Sequence, residues 1–457
     1  MIWNKVSIGE FLEERKDRFK PEEANNLKLK RISKIDFSGN IHINENKPTK
    51  TNMILIKSGD LVISGINADK GAVSIYTGDE DVMATIHYSS YSFDSSRINI
   101  DYLKWYLKSK TFLKILKEQT KGGIKTELKA KKLLPLVIDL PDLSGQKEIL
   151  EKIESINVEC NDICDLQSEL LLDISQLKQA ILQEAIQGKL TQEWREKNVN
   201  VEPASELLKR IKAEKEQLIK NKRLKKGNTI NHPRNLIELD SFPISWEQCK
   251  ADEILFVTKL AGFEYSKHIT LEKTGEIPVI RAQNVRPLEI DKSNLLFIDK
   301  KTSELLDRCS LTKECLLVTF IGAGIGDVAT YNENRRWHLA PNVAKMEPFE
   351  GCEEFLDIKF LNYFLLSPVG RKEIFKHIKA TAQPSLSMGT IRDIDFLIPP
   401  IQEQKEIVEK VETLMQKCNE LEQEITQSEE HANMLMQAVL KEAFESKTEN
   451  TEEYANA

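Results

Sequence analysis

A helix-forming stretch of about 40 residues occurs twice in this sequence, and this repeat constrains the fold more than any other feature. Gln146–Ile149 (QKEI) recurs as Gln404–Ile407, and Ala180–Ala185 (AILQEA) recurs as Ala438–Ala443 (AVLKEA). Both pairs are 258 positions apart (404 − 146 and 438 − 180), so the two copies align without a gap. A repeat at a fixed distance dictates the architecture of a chain.

Apolar residues in both copies are spaced alternately four and three positions apart. This 3.5-residue period predicts a coiled-coil seam between two helices, parallel or antiparallel, each roughly 55–60 Å long. Two ordinary long core helices are the alternative. Gln167 interrupts the first seam and Ser428 the second. The predicted seam residues are Ile149, Ile153, Ile156, Ile163, Leu170 and Leu177 in the first copy, and Ile407, Val411, Leu414, Leu421, Ile425 and Leu435 in the second.

The composition excludes several classes of protein. The chain has 457 residues, which suggests roughly three domains, and 40% of them are hydrophobic. No apolar run approaches the roughly 20 residues that span a bilayer, and the amino-terminal residues do not resemble a secretion signal. Seven cysteines without a CxxC pair argue against a disulfide framework and a zinc site. We therefore expect a cytoplasmic protein.

The net charge of −7 argues against nucleic-acid binding, but its distribution reverses that argument. Residues 403–457 carry 5 Lys+Arg against 14 Asp+Glu, whereas residues 1–141 carry 24 against 18 and residues 199–235 carry 10 against 4. For nucleic-acid binding, the local electrostatic field matters more than the total charge of the chain. The densest basic stretch, residues 108–132, predicts a phosphate-binding surface, or simply a solvated face. The candidate DNA contacts there are Lys108, Lys114, Lys121, Lys125, Lys129 and Lys131.

Short β-branched runs broken by Gly, Asn and Asp predict strands at 27–35, 41–43, 53–56, 60–64, 72–76 and 137–140. Residues 100–116 have the spacing of one helix, and Ser144 is the expected N-cap of the first long helix. The second globular region repeats this skeleton, since Trp246–Leu255 parallels Trp3–Leu12 and Pro399 matches Pro141.

We predict an α+β fold, a tandem repeat with pseudo-two-fold symmetry. Its globular regions are residues 1–143 and 236–400, and its long spacer helices are residues 144–190 and 401–446. A basic helical link and loop covers 191–235, and a flexible tail covers 447–457.

Five stretches together resemble the specificity subunit of type I restriction–modification systems, over nearly the whole chain. They are LPDLSGQKEILEKIE, its partner IPPIQEQKEIVEKVE, LKQAILQEAIQGKLTQEW, EPASELLKRIKAEKEQLI and FPISWE. The resemblance implies mixed α/β target recognition domains, each binding one half of a bipartite double-stranded DNA site. It implies that the two helices lie antiparallel and dock two methyltransferase (modification) subunits, with restriction/translocase subunits in the full complex. S-adenosylmethionine, ATP and Mg would be bound by those partners, and no cofactor by this chain.

Polar side chains that suit DNA contacts occur at several places in the second globular region. The glycine-rich stretch 322–327 lacks the nucleotide-binding patterns, so we interpret it as a hairpin turn that either only turns the chain or faces DNA. Arginine and amide side chains can make paired hydrogen bonds to guanine and adenine. The alternatives are a polar strand face and a solvated turn with its tryptophan in the core. The candidates are Arg281, Gln283, Asn284, Gly322, Gly324, Arg335, Arg336, Trp337, and, on a loop that the resemblance assigns to the DNA side, Gln383 and Ser385.

Catalytic motifs are missing from the sequence. Pro399-Pro400 lacks the flanking residues of an amino-methyltransferase site, and Glu127-Leu128-Lys129 has the form of a nuclease ExK motif without a placed partner aspartate. We therefore predict a non-catalytic subunit. The alternatives are a stand-alone enzyme, a coiled-coil adaptor without DNA binding, and a related recognition subunit of another anti-phage defence system.

Overall fold

The computed structural model describes residues 3–37, 39–44, 48–119, 128–225, 242–322, 324–376 and 385–444. Contacts divide the chain into two compact units. The first unit comprises Met1–Leu170 and Glu424–Ala457, and the second comprises Leu171–Gln423. Each unit therefore contains one globular region and a part of each long helix.

The described part of the first unit combines eleven strands with short helices and the start of a long one. The strands are β1 (Trp3–Ser7), β2 (Leu12–Glu14), β3 (Arg18–Phe19), β4 (Arg31–Ile35), β5 (Ile41–Asn44), β6 (Met53–Ile56), β7 (Leu61–Ser64), β8 (Val73–Ile75), β9 (Val82–Thr85), β10 (Tyr88–Phe93) and β11 (Val137–Pro141). The helices are α1 (Pro21–Asn26), α2 (Ile100–Lys108), α3 (Lys110–Gln119), α4 (Ala130–Leu133) and α5 (Leu143–Ile186). The strands form sheets in the orders β1-β11, β2-β10-β7-β8 and β3-β6-β9-β4-β5.

The second unit has the same plan with more strands. Its helices are α6 (Gln192–Lys197), α7 (Ala204–Lys220), α8 (Ala251–Ile254), α9 (Gly262–His268), α10 (Lys300–Leu305), α11 (Ile358–Leu366), α12 (Pro368–Phe375), α13 (Met388–Arg392) and α14 (Ile401–Phe444). Its strands are β12 (Glu247–Lys250), β13 (Leu255–Lys259), β14 (Ile277–Ile280), β15 (Val285–Arg286), β16 (Glu289–Ile290), β17 (Leu296–Ile298), β18 (Ser310–Leu311), β19 (Cys315–Thr319), β20 (Val328–Tyr331), β21 (Trp337–Leu339), β22 (Val343–Pro348) and β23 (Asp395–Ile398).

The strand register shows that the duplication extends to the backbone. In the first unit β1 pairs with β11 so that Asn4 faces Leu140, and in the second β12 pairs with β23 so that Glu247 faces Ile398. Both residues of the second pair are the sequence counterparts of the first, with offsets of 243 and 258 positions. The sheets β2-β10-β7-β8 and β13-β22-β19-β20 likewise have corresponding strand orders.

The single helix predicted for residues 100–116 is wrong, because the chain breaks at Ser109 into α2 and α3. Ser109 is buried in an extended conformation, and its hydroxyl oxygen accepts a hydrogen bond from Phe112 N at 3.1 Å. Ser367 makes the same break in the second unit, where its hydroxyl oxygen accepts from Gly370 N at 3.2 Å. A serine that caps the next helix interrupts the helical pattern without a proline or glycine signal.

The two long helices are antiparallel, and each has 44 residues. Along the first unit, Cys160 Sγ lies 3.6 Å from the carbonyl oxygen of Ala432, and Gln167 Nε2 lies 3.2 Å from that of Ile425. As one helix advances by seven residues, the other recedes by seven. Ser144 is not the N-cap of α5. Asp142 occupies that place, since its Oδ1 accepts from Gly145 N at 3.2 Å.

Burial along the predicted seam varies from end to end. The positions near the amino-terminal end of each helix are buried, namely Ile149, Ile153, Ile407 and Val411. Three positions are half-buried, namely Ile156, Leu414 and Ile425. The remaining predicted positions are exposed, namely Ile163, Leu170, Leu177, Leu421 and Leu435. The predicted 3.5-residue pattern therefore marks a helix pair whose apolar stripe is only partly covered within this chain.

The repeated glutamine of the QKEI motif fastens each long helix to its globular region. Gln146 Nε2 donates to the carbonyl oxygen of Pro141 at 2.9 Å, and its Oε1 accepts from Asn99 N at 2.7 Å. Gln404 repeats both contacts, with Pro399 at 2.9 Å and Asp357 N at 2.9 Å. Both glutamines are fully buried. The motif that reveals the duplication is therefore structural, because it holds the N-cap residues of α2 and α11.

Candidate nucleic-acid interface

The glycine-rich stretch of the second unit is a tight turn between β19 and β20. Gly326 N donates to the carbonyl oxygen of Thr319 at 2.9 Å, and Asp327 N donates to that of Gly324 at 2.9 Å. Gly322 has φ +111° and Gly326 has φ +83°, values that favour glycine. Gly322 has open space where a side chain would stand. The hairpin interpretation is confirmed, and the turn presents bare backbone to its surroundings.

A second hairpin lies against this turn and carries an arginine. Strands β15 and β16 pair through Arg286 and Glu289, and Leu288 at their tip has φ +69°. Leu288 N donates to the carbonyl oxygen of Val328 at 3.1 Å, which joins the hairpin to β20 just after the glycine turn. Arg286 is exposed. Burial raises the pKa of Asp327, while the cations of Arg371 and Arg286 oppose that shift.

A third segment completes the cluster. Ser385 forms a β-bridge with Ile321, so this residue lies beside the glycine turn. Arg371 donates to the carbonyl oxygen of Gly326 at 3.2 Å, and its guanidinium lies 5.8 Å from the centre of the Phe375 ring. The exposed Phe375 side chain packs against Gly326, where an added Cβ would come within 2.6 Å of the ring. Gln383, predicted to contact DNA, lies outside the described residues.

The three candidates around residue 283 have different environments. Asn284 is buried, and its amide donates to the carbonyl oxygen of Asp291 at 2.9 Å while accepting from Arg281 N at 3.1 Å. Arg281 is half-buried and donates to the carbonyl oxygen of Asn294. Gln283 is exposed. Asn284 therefore shapes the turn that precedes β15, and Gln283 is the member of the group whose side chain faces solvent.

The Arg335–Trp337 group is also divided between surface and core. Trp337 is buried, and the exposed Arg335 guanidinium stacks 5.2 Å from its ring centre. Arg336 turns inward and pairs with Asp307 at 2.6 Å and with Ser303 Oγ at 2.8 Å. The alternative of a turn with its tryptophan in the core describes this segment, and Arg335 is its outward-facing cation.

The first unit repeats the arrangement of a hairpin tip, a glycine turn and a third segment bonded to the start of that turn. Leu128 N donates to the carbonyl oxygen of Gly65 at 2.8 Å, as Leu386 N donates to that of Phe320 at 2.9 Å in the second unit. Gly71 has φ +91° and lies against the carbonyl of Phe37, at the tip between β4 and β5. The exposed Phe37 ring lies 5.7 Å from Lys70 Nζ. The side chains around the two turns differ, although the backbone plan is shared.

The lysines of the predicted basic surface are not equivalent. Lys114, Lys129 and Lys131 are exposed, whereas Lys121 and Lys125 lie outside the described residues. Lys108 is half-buried, and its Nζ lies 5.9 Å from the centre of the Trp105 ring. Burial, with help from the Lys104 cation, lowers the pKa of Lys108 to about 8. Lys108 thus packs beside the β4–β5 tip, next to Gly39.

Sequence reasoning missed Arg286, Arg371, Phe375, Phe37 and Lys70. Arg286 lies two residues after the predicted Asn284, and the pattern RPLE of a two-residue hairpin was its available signal. Phe375 and Arg371 are separated from the glycine turn by about 50 positions. Their proximity depends on the packing of α12, which no local pattern reveals.

Two kinds of feature are absent from the described residues. Among the described residues, no cluster of three or more His, Cys, Asp or Glu side chains could hold a metal ion. No helix in the described part of the chain is both long and apolar enough to cross a membrane.

Comparisons with known proteins agree with the residue patterns. Residues 243–430 match the family model described as the type I restriction modification DNA specificity domain. The EcoBI specificity subunit of Escherichia coli is 24% identical over 73% of this chain, and that of EcoKI from E. coli strain K12 is 24% identical over 67%. The alignments span 63% and 56% of those relatives, which is less than two thirds of their length.

Solved structures share the fold. A chain from a study of complex assembly and conformational transition in the type I R-M system superposes with a TM-score of 0.65 at 15% identity, covering 97% of this chain and 98% of that one. The HsdS subunit from Thermoanaerobacter tengcongensis gives a TM-score of 0.50 at 15% identity, with 97% and 96% coverage. Residues 243–430 thus match the type I restriction modification DNA specificity domain, and the chain as a whole is similar in sequence and fold to the specificity subunits of type I restriction–modification systems.

Proposed function

We propose that this chain selects the DNA target of a type I restriction–modification complex and catalyses no reaction itself. It binds a bipartite double-stranded target, with one half bound by each globular region. The observation that carries this proposal is the cluster of a hairpin tip, a glycine turn and a third segment bonded to that turn, which the described residues form in each unit. Glycine turns allow the backbone to approach a ligand closely, and arginines beside them suit guanine edges and phosphates.

The two clusters carry different side chains, which supports two unlike half-sites. The second unit presents Arg286, Arg371 and Phe375, whereas the first presents Phe37 and Lys70. Lysine contacts to phosphate position a protein without reading sequence, whereas arginine can do both. Exposed Lys129 and Lys131 extend the basic surface of the first unit and would add salt-dependent affinity.

The partners would be two methyltransferase subunits and the restriction/translocase subunits of a cytoplasmic complex. The exposed apolar positions of the helix pair support the docking role, because clustered exposed apolar side chains mark sites of protein–protein interaction. S-adenosylmethionine, ATP and Mg would be bound by those subunits.

Methylome sequencing of a host with and without this gene tests the proposal. We expect loss of a bipartite adenine-methylation motif when the gene is removed. An unchanged methylome, together with no salt-dependent DNA binding by the purified chain, would instead favour a coiled-coil adaptor.

A further inference from the structure

The first unit has an open groove beside the start of α5. Its volume is about 340 Å³, and its apolar wall contains Val6, Phe11, Leu140 and Leu143. Glu10 and Asp142 add carboxylates to the lining. Leu143, at the first position of the long helix, is 41% exposed and forms part of this apolar wall.

The corresponding surface of the second unit is covered by helix α7. Lys215 of α7 donates to the carbonyl oxygen of Asp252, and the Arg210 guanidinium lies 4.9 Å from the centre of the Phe355 ring. By the repeat offsets, Asp252 corresponds to Gly9 (252 − 243) and Phe355 to Arg97 (355 − 258). Gly9 and Arg97 stand beside and within the groove of the first unit, so α7 occupies the equivalent place.

The covering helix has a recognisable chemistry. Its apolar ridge is Ala204, Leu207 and Ile211, which are buried, and cations flank that ridge. Among the described residues, no helix lies against the corresponding surface of the first unit. Trp3 and Val6 are only half-buried there, whereas their counterparts Trp246 and Cys249 are buried.

Charge at the groove suits a basic occupant. Lys215 of α7 lies 5.2 Å from the centre of the Phe349 ring, and the first unit has Asp94 at the position of Phe349 (349 − 255). Hydrogen bonds from the Ser96 hydroxyl and backbone lower the pKa of Asp94, so it carries a negative charge at neutral pH. Glu10 and Asp94 both approach Arg97, at 3.5 Å and 3.7 Å, and each carboxylate side chain remains about half exposed.

We propose that this groove is a docking site for an amphipathic helix of a partner protein, with an apolar ridge at the spacing found in α7 and flanking lysine or arginine residues. This site is separate from the DNA-facing clusters and does not depend on DNA recognition. The partner helix would lie against residues 8–10 and Arg97 as α7 lies against α8 and Phe355. Its cations would pair with the carboxylates of Glu10 and Asp94. In the second unit the cations of α7 stack on aromatic rings instead.

A peptide with the sequence of residues 202–222 serves as the probe, and its fluorescence anisotropy is measured with the full chain. We expect saturable binding that Leu143→Arg weakens at least tenfold. The matched control is Leu172→Arg, an exposed leucine on the same helix, which should change affinity less than twofold. A control peptide with Leu207→Asp and Ile211→Asp should not bind.

Three outcomes would overturn the proposal: no saturable binding, equal effects of the two arginine variants, or equal binding of the control peptide. Sedimentation of the chain alone tests a second copy as the occupant. If the chain forms a dimer and Leu143→Arg dissociates it, the occupant of the groove is a second copy of the chain and not a partner helix. Circular dichroism spectra of both variants must match that of the parent. A photoreactive group placed at Asn4, which lines the groove, should cross-link to the bound peptide and so locates the binding site independently of stability.

Discussion

The side-chain amide of Gln167 donates to the backbone carbonyl oxygen of Ile425, at 3.2 Å, and the two residues occupy the same position of the repeat (425 − 258 = 167). In an antiparallel pair of equivalent helices, a position meets its own counterpart only where a two-fold axis passes between them. The duplicated helices therefore cross their local two-fold axis at Gln167 and Ile425. One copy has a polar residue there and the other an apolar one, so the two-fold symmetry does not extend to the side chains at this position.

Replacement of Gln167 by leucine should stabilise the first unit. Gln167 is buried, and among the described residues its Oε1 has no hydrogen-bond partner. Leucine removes that unpaired acceptor and matches the apolar counterpart, so we expect about 1 kcal/mol more unfolding free energy. Urea denaturation followed by circular dichroism measures the change, with the exposed Ser168→Ala as control. A loss of stability would mean that the Gln167 amide contributes more than its buried oxygen costs.

The repeated glutamines provide a matched pair of variants. Gln146→Leu and Gln404→Leu each leave a buried backbone amide and carbonyl without their partner, so each should lower the unfolding free energy by about 2 kcal/mol. Hydrogen exchange should quicken at Asn99 in the first variant and at Asp357 in the second. Lys147→Leu and Lys405→Leu, on exposed neighbours, are the controls. Equal exchange in the parent and variants would contradict a fastening role.

The buried carboxylate of Glu403 holds the link against the second unit. It pairs with Arg195, accepts from Thr191 Oγ1 at 2.7 Å and accepts from Trp246 Nε1 at 2.9 Å. Its counterpart in the first copy is Gly145 (403 − 258). Glu403→Ala should cost about 3 kcal/mol, because three donors lose their acceptor. Glu403→Gln should cost less, and the exposed Glu409→Ala should be neutral in the same denaturation experiment.

His338 should make the second unit sensitive to acid. Its ring is buried, and burial together with the cations of Arg336 and Lys345 lowers its pKa to about 4. Between about pH 6.5 and this value the unfolded chain binds a proton that the folded chain does not, so stability falls as pH falls through that window. The contribution is about 3 kcal/mol in full. His338→Gln should flatten the pH dependence measured by thermal unfolding, and an unchanged slope would refute the assignment.

Arg286 should contribute to DNA binding by the second unit. Arg286→Ala should weaken binding of the target duplex about tenfold and, if it contacts a phosphate, reduce the salt slope by about 1. The matched control is Arg210→Ala, an exposed arginine of α7. Filter binding at several salt concentrations measures both quantities. Equal effects of the two variants would remove Arg286 from the interface.

The sequence alone determined the duplication, the long helices and the resemblance to type I specificity subunits. These features are written in local patterns: a 3.5-residue spacing, a motif repeated at 258 positions, and strand runs broken by turn residues. It also located the glycine turn and most strands of the first unit. The position of Ser109 was not predictable in the same way, because a capping serine inside an apolar helical pattern looks like any polar surface residue.

Tertiary structure alone decided which polar residues face outward. Asn284 and Arg336 belong to the same sequence patterns as Gln283 and Arg335, but packing turns the first two inward and leaves the others exposed. It also brought Phe375 to the glycine turn, and α7 onto the surface whose counterpart is open in the first unit. Spacing along a chain specifies which face of one element a residue occupies, whereas contacts between distant elements depend on how those faces pack.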